Sequence, residues 1–379
     1  MMRTASILLD ASPTDGLALA ALQSAYADAC NALVPTVIAD RCWNRVALHQ
    51  KSYTMLGATT PLGSQMRCNA IYSVCKAYKS QKELGRIKKD APVPTLHFGR
   101  TSVHYDKRTY TLKGDMVSLN TLDKRITVRL RPGKHQRRLL EGGIAKEAEL
   151  VTRKGRWYFH LVIETKDEEQ VASGPVMGVD VGENNLAASS TGKVWGGGEL
   201  RHRRDKHLAL RRRLQSNGSQ SAKQKLRQVS GKEQRRVKQT NHETSKAIVQ
   251  QAQNIRAGKI TMENLTHIRK NIKAGKRVRT RLHRWAFRQL QTFVQYKAEA
   301  VGIEVKYTNP AYTSQTCSEC LALGKRVKHR FTCQCGFRAH ADVNASRNIA
   351  RIGNGTPMPR AAVSTPYVEN VSSNVHVLR

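Results

Sequence analysis

Acidic residues are scarce in this chain. Only 28 Asp and Glu stand against 65 Lys and Arg in 379 residues, so the formal net charge is +37. A compact chain with this imbalance repels itself unless a polyanion neutralises it. Nucleic acid is the natural polyanion, because it offers many phosphates for Lys and Arg to contact. The charge therefore predicts a nucleic-acid-binding protein.

Long hydrophobic runs are also missing. No uninterrupted apolar stretch approaches the roughly 20 residues of a membrane-spanning helix. Residues 1–10 do not resemble a signal peptide, because their apolar run is short and ends in an acid. We therefore expect a cytoplasmic, nucleoid-associated prokaryotic protein whose thiols stay reduced.

Four of the eight cysteines show no repeated short spacing, and we expect them to be small buried apolar residues: Cys30, Cys42, Cys68 and Cys75. The other four form two close pairs separated by 12 residues: Cys317, Cys320, Cys333 and Cys335. Four thiolates at this spacing can surround one tetrahedral Zn²⁺. The second pair is one residue tighter than usual, and Gly336 eases its turn. His329 and His340 remain alternative ligands.

Apolar periodicity divides the chain at about residue 173. Before it, the pattern predicts a strand at Thr4–Leu9 and three helices, beginning at Pro13, near Cys42 and at Pro61. Alternating segments from about Pro94 predict an antiparallel β unit, a small barrel. If the first strand belongs to that unit, the helices are an insertion within it.

After residue 173 the pattern alternates between strands and helices, which predicts an α/β domain. Val176–Val181 reads as a central strand buried on both faces. The remaining elements are a hairpin at Leu186–Ser190 and Lys193–Trp195, a basic helical tract at Leu200–Arg256, strands at Lys259–Met262 and Ile303–Tyr307, a helix near Thr280–Ala300, and a last helix at Asp342–Ile352. Residues 353–379 read as a flexible tail.

Three carboxylates stand at special places in this pattern. Asp180 interrupts an apolar strand between Gly178 and Gly182, Glu263 ends the next strand, and Asp342 begins the last helix. Singly, each acid reads more simply as a cap or a turn residue. Together they are typical of a metal-dependent nuclease of the RNase H type, in which carboxylates hold two Mg²⁺ or Mn²⁺ ions. We predict these three as catalytic metal ligands.

Basic residues cluster in helical segments. Between Arg201 and Lys238 there are fourteen Lys and Arg and two acids, and eight more lie between Arg269 and Arg284. Such a run usually covers a solvated face, but this imbalance favours phosphate contacts. The predicted nucleic-acid contacts are Lys79, Lys82, Arg203, Arg204, Arg211, Arg212, Arg235, Arg236, Lys325 and Arg326.

The motifs in combination resemble the TnpB (OrfB) family of insertion-sequence proteins, relatives of type V CRISPR effectors. The motifs that carry the resemblance are Gly178-Val-Asp180-Val-Gly182-x-x-Asn185-Leu186, Met262-Glu263-Asn264-Leu265, Tyr312-Thr-Ser-Gln-Thr-Cys317-Ser-x-Cys320, Phe331-x-Cys333-x-Cys335-Gly336 and Ala341-Asp342-x-Asn344-Ala-x-x-Asn348-Ile349. The specific match covers about residues 173–352. Two departures from the family pattern are Leu321, where a Gly is usual, and the shortened second cysteine pair.

The resemblance implies an RNA-guided DNA endonuclease. A RuvC-type, RNase H-like nuclease domain would occupy 173–316 and 336–352, with a zinc-binding insertion at 317–335 that helps handle target DNA. A wedge-like β-barrel at 1–10 and 90–172 would hold the RNA scaffold, and a helical recognition insertion at 11–89 would clamp the guide–target duplex. The implied partners are a guide RNA transcribed near the element end and double-stranded DNA carrying a short adjacent motif.

Other functions share this fold and chemistry. A DNA transposase would perform strand transfer with the same metals, and a CRISPR-associated type V effector has the same ancestry. A non-cleaving RNA-guided repressor is expected to lose at least one of the three acids. All three are present here.

Overall fold

The computed structural model of the chain describes residues 1–166, 169–171, 173–266, 286–309 and 312–356. It divides into two compact units, Met1–Lys166 and Asp167–Arg379. The finer division into a barrel, a helical insertion, a nuclease domain, a zinc insertion and a tail stays a prediction. The tail also stays a prediction, because residues 357–379 lie outside the described part. The predicted helix start at 280–285 and the basic residues 269–284 lie outside it as well.

The first unit is built on one seven-stranded antiparallel sheet. Its strands are β1 (Met2–Asp10), β2 (Val103–Tyr105), β3 (Tyr110–Lys113), β4 (Met116–Asn120), β5 (Arg125–Arg131), β6 (Gly143–Arg153) and β7 (Arg156–Thr165), in the order β2-β6-β7-β1-β5-β4-β3. The first strand lies between β7 and β5, so it belongs to the β unit, and the three helices after it are an insertion in the chain between strands of one sheet. Along β5 the exposed and buried residues alternate strictly, which places one face on the core.

This sheet is nearly closed into a barrel. Tyr110 on β3, at one end of the strand order, donates its hydroxyl to the Lys146 carbonyl on β6 at 2.9 Å. Tyr105 on β2, at the other end, donates to the carbonyl of Asn120 at 2.8 Å. Both rings pack edge-on against Phe159 in the core. The prediction of a small antiparallel barrel is thus met by a barrel-like sheet.

Two elements of this unit escaped the sequence analysis, strand β6 and helix α4 (Lys134–Glu141). The segment Ile144–Leu150 is rich in Ala, Glu and Lys, which favour helices. Its alternation is also broken by a bulge between Ala145 and Ala148. Pairing with both β2 and β7 overrides the local preference.

Three helices follow β1 in the chain: α1 (Pro13–Asp40), α2 (Arg45–Thr59) and α3 (Ser64–Glu83). Ser12 and Asp15 form a capping box at the start of α1. By length and hydropathy α1 meets the criteria for a membrane-spanning helix, yet 56% of its most apolar window is buried inside the protein. Since Leu19, Leu22 and Leu33 are fully buried, α1 is a core helix of this unit.

The second unit contains a five-stranded mixed sheet. Its strands are β8 (Val176–Asp180), β9 (Asn185–Ser189), β10 (Val194–Gly196), β11 (Lys259–Glu263) and β12 (Glu304–Thr308), in the order β10-β9-β8-β11-β12. The strands β8, β11 and β12 are parallel, whereas β9 runs antiparallel to β8 and to β10. Parallel strands place their carboxyl ends at one edge of the sheet.

Helices and a small second sheet complete this unit. The helices are α5 (Gly198–Asn217), α6 (Gln220–Val229), α7 (Lys232–Asn254), α8 (Phe287–Glu299) and α9 (Ala341–Gly353). The predicted basic tract is therefore three helices rather than one. Between α8 and α9, strands β13 (Lys325–Val327), β14 (Arg330–Thr332) and β15 (Arg338–His340) form an antiparallel sheet in the cysteine-bearing segment.

Helix α9 packs directly on β8, and Gly178 makes this possible. A Cβ at Gly178 would overlap the Ser346 carbonyl oxygen and lie 2.5 Å from the backbone nitrogen of Ala350. Both obstacles belong to the backbone of α9, which cannot rotate away. The glycine before Asp180 therefore brings α9, and with it Asp342, against the central strand.

We predict that Gly178→Ala lowers the free energy of unfolding of this unit by about 3 kcal/mol or more, because the added methyl overpacks a backbone contact. Gly196→Ala in β10 is the matched control, since no atom lies within 4 Å of a Cβ there. Thermal or denaturant unfolding of both variants provides the measurement. Equal stability of the two variants would contradict the close approach of α9.

Candidate active site at the sheet edge

Asp180 is the last residue of β8, the central strand of the mixed sheet. The apolar run Val176–Val179 buries the strand, and the acid follows where the strand reaches the sheet edge. Burial, together with the nearby carboxylates of Glu263 and Asp342, raises the pKa of Asp180 to about 8. Asp180 therefore retains at neutral pH a proton that an exposed aspartate would release.

Glu263 is placed beside Asp180 by the pairing of β11 with β8. The parallel register matches Met262 with Val179, so the next residue of each strand is an acid. Glu263 is buried, and its Oε1 accepts a hydrogen bond from the Thr313 hydroxyl at 2.5 Å. Burial raises the pKa of Glu263, while the Thr313 hydrogen bond and the Arg326 charge act in the opposite direction.

Asp342 reaches the same edge from the first turn of α9. Its backbone nitrogen donates to Nδ1 of His340, the residue before the helix, at 3.3 Å. Asn185 on β9 donates to its Oδ2 at 2.8 Å, and Arg326 donates to its Oδ1 at 2.7 Å. The side chain is thus held at both oxygens while it is 9% exposed as a residue.

The structure brings the three predicted acids to one place, although they are widely separated in the chain. The carboxylates are not packed as closely as thiols in a metal cluster: within the described residues, only the four cysteines place three or more ligand atoms within 4.8 Å of one another. Burial first, and then the nearby charges of Glu263 and Asp342, raise the pKa of Asp180, as expected for a buried acid beside other carboxylates. Such a set fits divalent cations, which prefer oxygen ligands.

Arg326 supplies positive charge at this site. It lies on β13, between the two cysteine pairs, and forms an ion pair with Asp342 at 2.7 Å. Its charge also opposes the upward pKa shifts of Asp180 and Glu263. The sequence analysis predicted it as a nucleic-acid contact, and the structure places its guanidinium against a predicted catalytic acid.

Two buried asparagines tie the cysteine segment to α9. Asn344 accepts from the Ser318 backbone N–H at 2.9 Å and donates to the Thr316 carbonyl at 2.7 Å. Asn348 donates to the carbonyls of Thr313 and Thr316, at 2.8 and 2.7 Å. Since Thr313 also bonds Glu263, one hydrogen-bonded network joins α9, the first cysteine pair and a second acid.

Three residues that were not predicted as site residues support the acids: Asn185, Thr313 and Gln291. Asn185 and Thr313 fall within the quoted family motifs. The motifs therefore marked these two residues, whereas their side-chain types alone did not. Gln291 on α8 donates to the backbone carbonyl of Glu263 at 2.7 Å. Its spacing from Glu263 gave no sign of that contact.

The four thiols of the cysteine cluster converge as predicted. The Sγ atoms of Cys317 and Cys335 are 3.8 Å apart, and those of Cys320 and Cys333 are 3.5 Å apart. A tetrahedral ion with Zn–S bonds of about 2.3 Å has Sγ–Sγ edges of about 3.8 Å. The cluster is therefore consistent with zinc, and the short second pair does not prevent convergence.

The cluster contains no histidine among the described residues, so His329 and His340 are not needed as ligands. Backbone and thiol contacts lower the pKa of Cys320 to about 7, the largest effect being a hydrogen bond from the Ala322 backbone. At Cys320 this favours the thiolate form, which binds metals. A backbone hydrogen bond from Phe337 lowers the pKa of Cys335, but the neighbouring thiols raise it to about 12.

The residue after each cysteine pair has left-handed backbone geometry. Gly336 has φ of 88°, and Leu321 has φ of 64°. The backbone nitrogens of both residues close the turn, Leu321 to Cys317 and Gly336 to Cys333, at 3.1 Å each. The departure from Gly at position 321 therefore carries a cost, because a Cβ strains this conformation.

Most of the predicted nucleic-acid contacts are exposed, with Lys79 and Lys82 on α3, Arg203, Arg212, Arg235 and Arg236 on α5 and α7, and Lys325 on β13. Arg211 is half-buried.

Arg204 departs from the prediction, because it is buried and pairs with Glu233 at 3.3 Å. His207 also meets Glu233 at 3.1 Å. Arg204 thus holds α5 against α7, which its position within a basic run could not reveal.

Comparison with known proteins finds two matching family models. Residues 160–269 match the model described as "Probable transposase" (OrfB_IS605), and residues 287–349 match the one described as "Cas12f1-like, TNB domain". A TnpB-like protein of Methanocaldococcus jannaschii is 30% identical over 263 residues, which cover 63% of this chain and 91% of that protein. The CRISPR-associated endodeoxyribonuclease Cas12f1 of Sulfoacidibacillus thermotolerans is 30% identical over 298 residues, covering 72% and 69%.

Among solved structures, the chain is similar to a Cas12f1 in complex with single-guide RNA and target DNA. The TM-score is 0.62 at 16% identity, and the alignment covers 89% of this chain and 83% of the other. At that identity the likeness shows a shared fold. The chain thus has a Cas12f-like α/β fold with a TNB cysteine cluster.

We expect the stability of the metal-free protein to fall as pH rises from about 4 to 8. Over this range the folded chain keeps the Asp180 proton that the unfolded chain has lost, and each unit of pKa difference corresponds to about 1.4 kcal/mol. Asp180→Asn removes this loss. The free energy of unfolding of both proteins is measured in chelator at pH 5, 6.5 and 8. We expect the variant to exceed the original protein in stability by an amount that grows with pH. A constant difference between the two proteins would contradict the burial of three acids together.

Substitutions of the residues that follow the two cysteine pairs should change the affinity for Zn²⁺ in opposite directions. Leu321→Gly relieves the left-handed strain, worth about 1 kcal/mol, and should tighten Zn²⁺ binding about fivefold. Gly336→Ala introduces the same strain and should weaken it. Competition with a chromophoric chelator measures both constants. A shift in the same direction for both variants would reject this account of the turns.

Proposed function

This chain belongs to the TnpB (OrfB) family, related to the Cas12f type V CRISPR effectors, and from that premise we propose that it is an RNA-guided DNA endonuclease. The observation that carries the proposal is the convergence of Asp180, Glu263 and Asp342 at one sheet edge, in a chain of net charge +37. The proposed reaction is divalent-metal-dependent hydrolysis of a phosphodiester.

The topology supports a RuvC-type, RNase H-like nuclease domain. Its strand order places β9 and β10 as an antiparallel extension of β8, with β11 and β12 added in parallel on the other side. Two of the acids end neighbouring parallel strands, where active sites of open α/β sheets lie. Helix α9 adds the third acid from one face.

In the proposed site, Asp180, Glu263 and Asp342 hold Mg²⁺ or Mn²⁺. Bound there, these ions would activate the attacking water and stabilise the leaving oxygen of the phosphodiester. The chain's own residues prepare the site. Asn185 and Thr313 each fix a carboxylate by a hydrogen bond, and Asp180 gives up the proton that its raised pKa retains in the metal-free state.

Arg326 has a second part in this proposal. Its side chain is 37% exposed while it pairs with Asp342, so part of it remains open to solvent. A phosphate entering the site meets this cation beside the acids, where it offsets repulsion between the substrate and the carboxylates. The cysteine-bearing segment 317–335, here called the cysteine module, thereby contributes directly to substrate binding.

Guide RNA and target DNA are the proposed partners. The similar Cas12f1 structure contains single-guide RNA and target DNA, and this chain carries exposed cations on α3, α5 and α7. In the proposed arrangement the barrel-like sheet of the first unit holds the RNA scaffold, helices α1–α3 clamp the guide–target duplex, and the protein reads a short motif beside the target.

A DNA transposase is the second candidate, because the family model that matches residues 160–269 is described as "Probable transposase". Strand transfer uses the same carboxylate chemistry. The two functions differ in their need for RNA. Ribonuclease treatment should abolish cleavage by an RNA-guided nuclease, and the copurifying RNA should match the cut target. Joined DNA products that form after ribonuclease treatment would favour the transposase.

We predict that Asp180→Ala or Glu263→Ala lowers the DNA cleavage rate by at least about 100-fold while RNA and DNA binding persist. Even partners of metal ligands typically cost 10- to 100-fold, so loss of a ligand should cost more. Glu304→Ala is the matched control, because Glu304 pairs with Lys259 at the opposite end of the same sheet. Single-turnover cleavage and filter binding are measured together. Undiminished cutting by either active-site variant would remove that acid from the site.

A further inference from the structure

A cavity of about 390 Å³ lies between helices α5 and α7. We call it the α5–α7 cleft. Among the described residues its lining contains five basic side chains and one acid: Arg203 and Arg204 on α5, and Lys232, Glu233, Arg235 and Arg236 on α7. The cleft therefore carries an excess of positive charge.

The one acid of the cleft is already engaged. Glu233 Oε1 lies 3.3 Å from Arg204 Nε, and its Oε2 lies 3.1 Å from His207 Nδ1. Arg204 is the only buried residue of α5, so a charged contact joins this helix to α7. Within the described part of the chain, neither nitrogen is aligned for a hydrogen bond. Glu233 therefore has no charge left to neutralise the other four cations.

Three of those four cations have no acid beside them. Lys232, Arg235 and Arg236 form no ion pair with any described residue, whereas Arg203 pairs with Glu199, one turn before it. An adjoining cavity of about 300 Å³ is lined by two acids and two arginines, so its charges balance. The positive excess is thus confined to the α5–α7 cleft.

The first turn of α7 adds backbone donors to the cleft. Lys232 and Glu233 are the first two residues of the helix, and Gly231 before them has no side chain to cap the first N–H groups. Such N–H groups and the helix dipole favour an anion at a helix N-terminus. The same turn meets Arg204, whose side chain is only 10% exposed. Together these donors suit a phosphate group.

We propose that the α5–α7 cleft binds the sugar–phosphate backbone of a nucleic acid, with one phosphate at the first turn of α7 between Arg203 and Arg236. Arg204 is a positioning residue, because it holds α5 beside α7. The described lining contains no Phe, Tyr or Trp on which a base could stack. Contacts of this kind position a nucleic acid without reading its sequence. The inference rests on the proposed partners for the source of the phosphate, which RNA and DNA both offer.

The salt dependence of binding tests the cleft without cleavage. The Asp180→Asn protein, freed of copurifying RNA, is titrated with a single-stranded RNA and a single-stranded DNA of one sequence. Each phosphate contact steepens the fall of log K with log salt by about 0.7 for single strands, so Arg203→Gln with Arg236→Gln should lower that slope by about 1.4. Filter binding over a range of salt concentrations provides the measurement.

The matched control is Arg213→Gln with Lys238→Gln. It removes the same two charges from exposed positions of the same helices outside the cleft, and it should leave the slope unchanged. Because all four side chains are exposed, both double variants should unfold at the temperature of the parent protein. An equal fall in slope for both variants, or no fall for either, would overturn the proposal.

The two probes distinguish the source of the phosphate. A lower slope with RNA alone assigns the cleft to the RNA partner, and a lower slope with DNA alone assigns it to the target strand. A fall with both assigns it to the backbone that they share.

Hydrogen exchange locates the contact. Bound oligonucleotide should slow amide exchange at residues 232–236 in the parent and in the control variant, but not in the Arg203→Gln, Arg236→Gln protein. A merely structural role for these arginines would not produce this ligand-dependent difference. Protection confined to other segments would contradict binding at the first turn of α7.

The two proposals fail separately. A protein whose slope falls with the cleft variant but which cuts no DNA would contradict the nuclease function and leave the cleft standing as a nucleic-acid site. A protein that cuts DNA in an Asp180-dependent way, with the slope unchanged in the cleft variant, would contradict the cleft alone.

Discussion

The parallel pairing of β8 with β11 is the constraint on which the rest of the second unit depends. It sets two acids side by side at one sheet edge, in a buried place where like charges repel. A fold selected for stability alone would avoid this arrangement, since each buried acid carries a desolvation penalty. The Thr313 hydroxyl and Arg326 on β13 offset part of that penalty, because both lower the pKa of Glu263.

The cysteine module acts on the acids in two ways. Arg326 reaches Asp342 from β13, and the segment Thr313–Ser318 is bonded to Asn344 and Asn348 inside α9. The asparagine contacts are buried, whereas the Arg326 side chain stays partly exposed. The thiol cluster is therefore part of the framework that positions the acids, and it is not a separate appendage on the nuclease fold.

Much of this arrangement could be predicted from the sequence. The strand that carries Asp180, the central position of that strand and the convergence of the thiols all follow from local patterns: an apolar run, two flanking glycines and close cysteine spacing. The three acids follow from their places in the pattern of strands and helices, and the family motifs contain all three. These local patterns could not show which single residues contact each other across the fold. Arg204 looked like every other arginine in its run, and only the packing of α5 on α7 shows that it faces Glu233. Strand β6 was missed because its composition favours a helix and its partners are distant in the chain.

The acids come from positions 180, 263 and 342, so the intervals between them are 83 and 79 residues. Closing such long loops costs entropy before the contacts between the acids are gained, and non-local contacts of this kind slow folding. Asp342 is also the last of the three acids to be synthesised, because α9 follows β8 and β11 in the chain. Competence to bind metal at this centre should thus appear abruptly, when α9 docks on Gly178, and partly synthesised chains should carry no damaging activity toward nearby DNA.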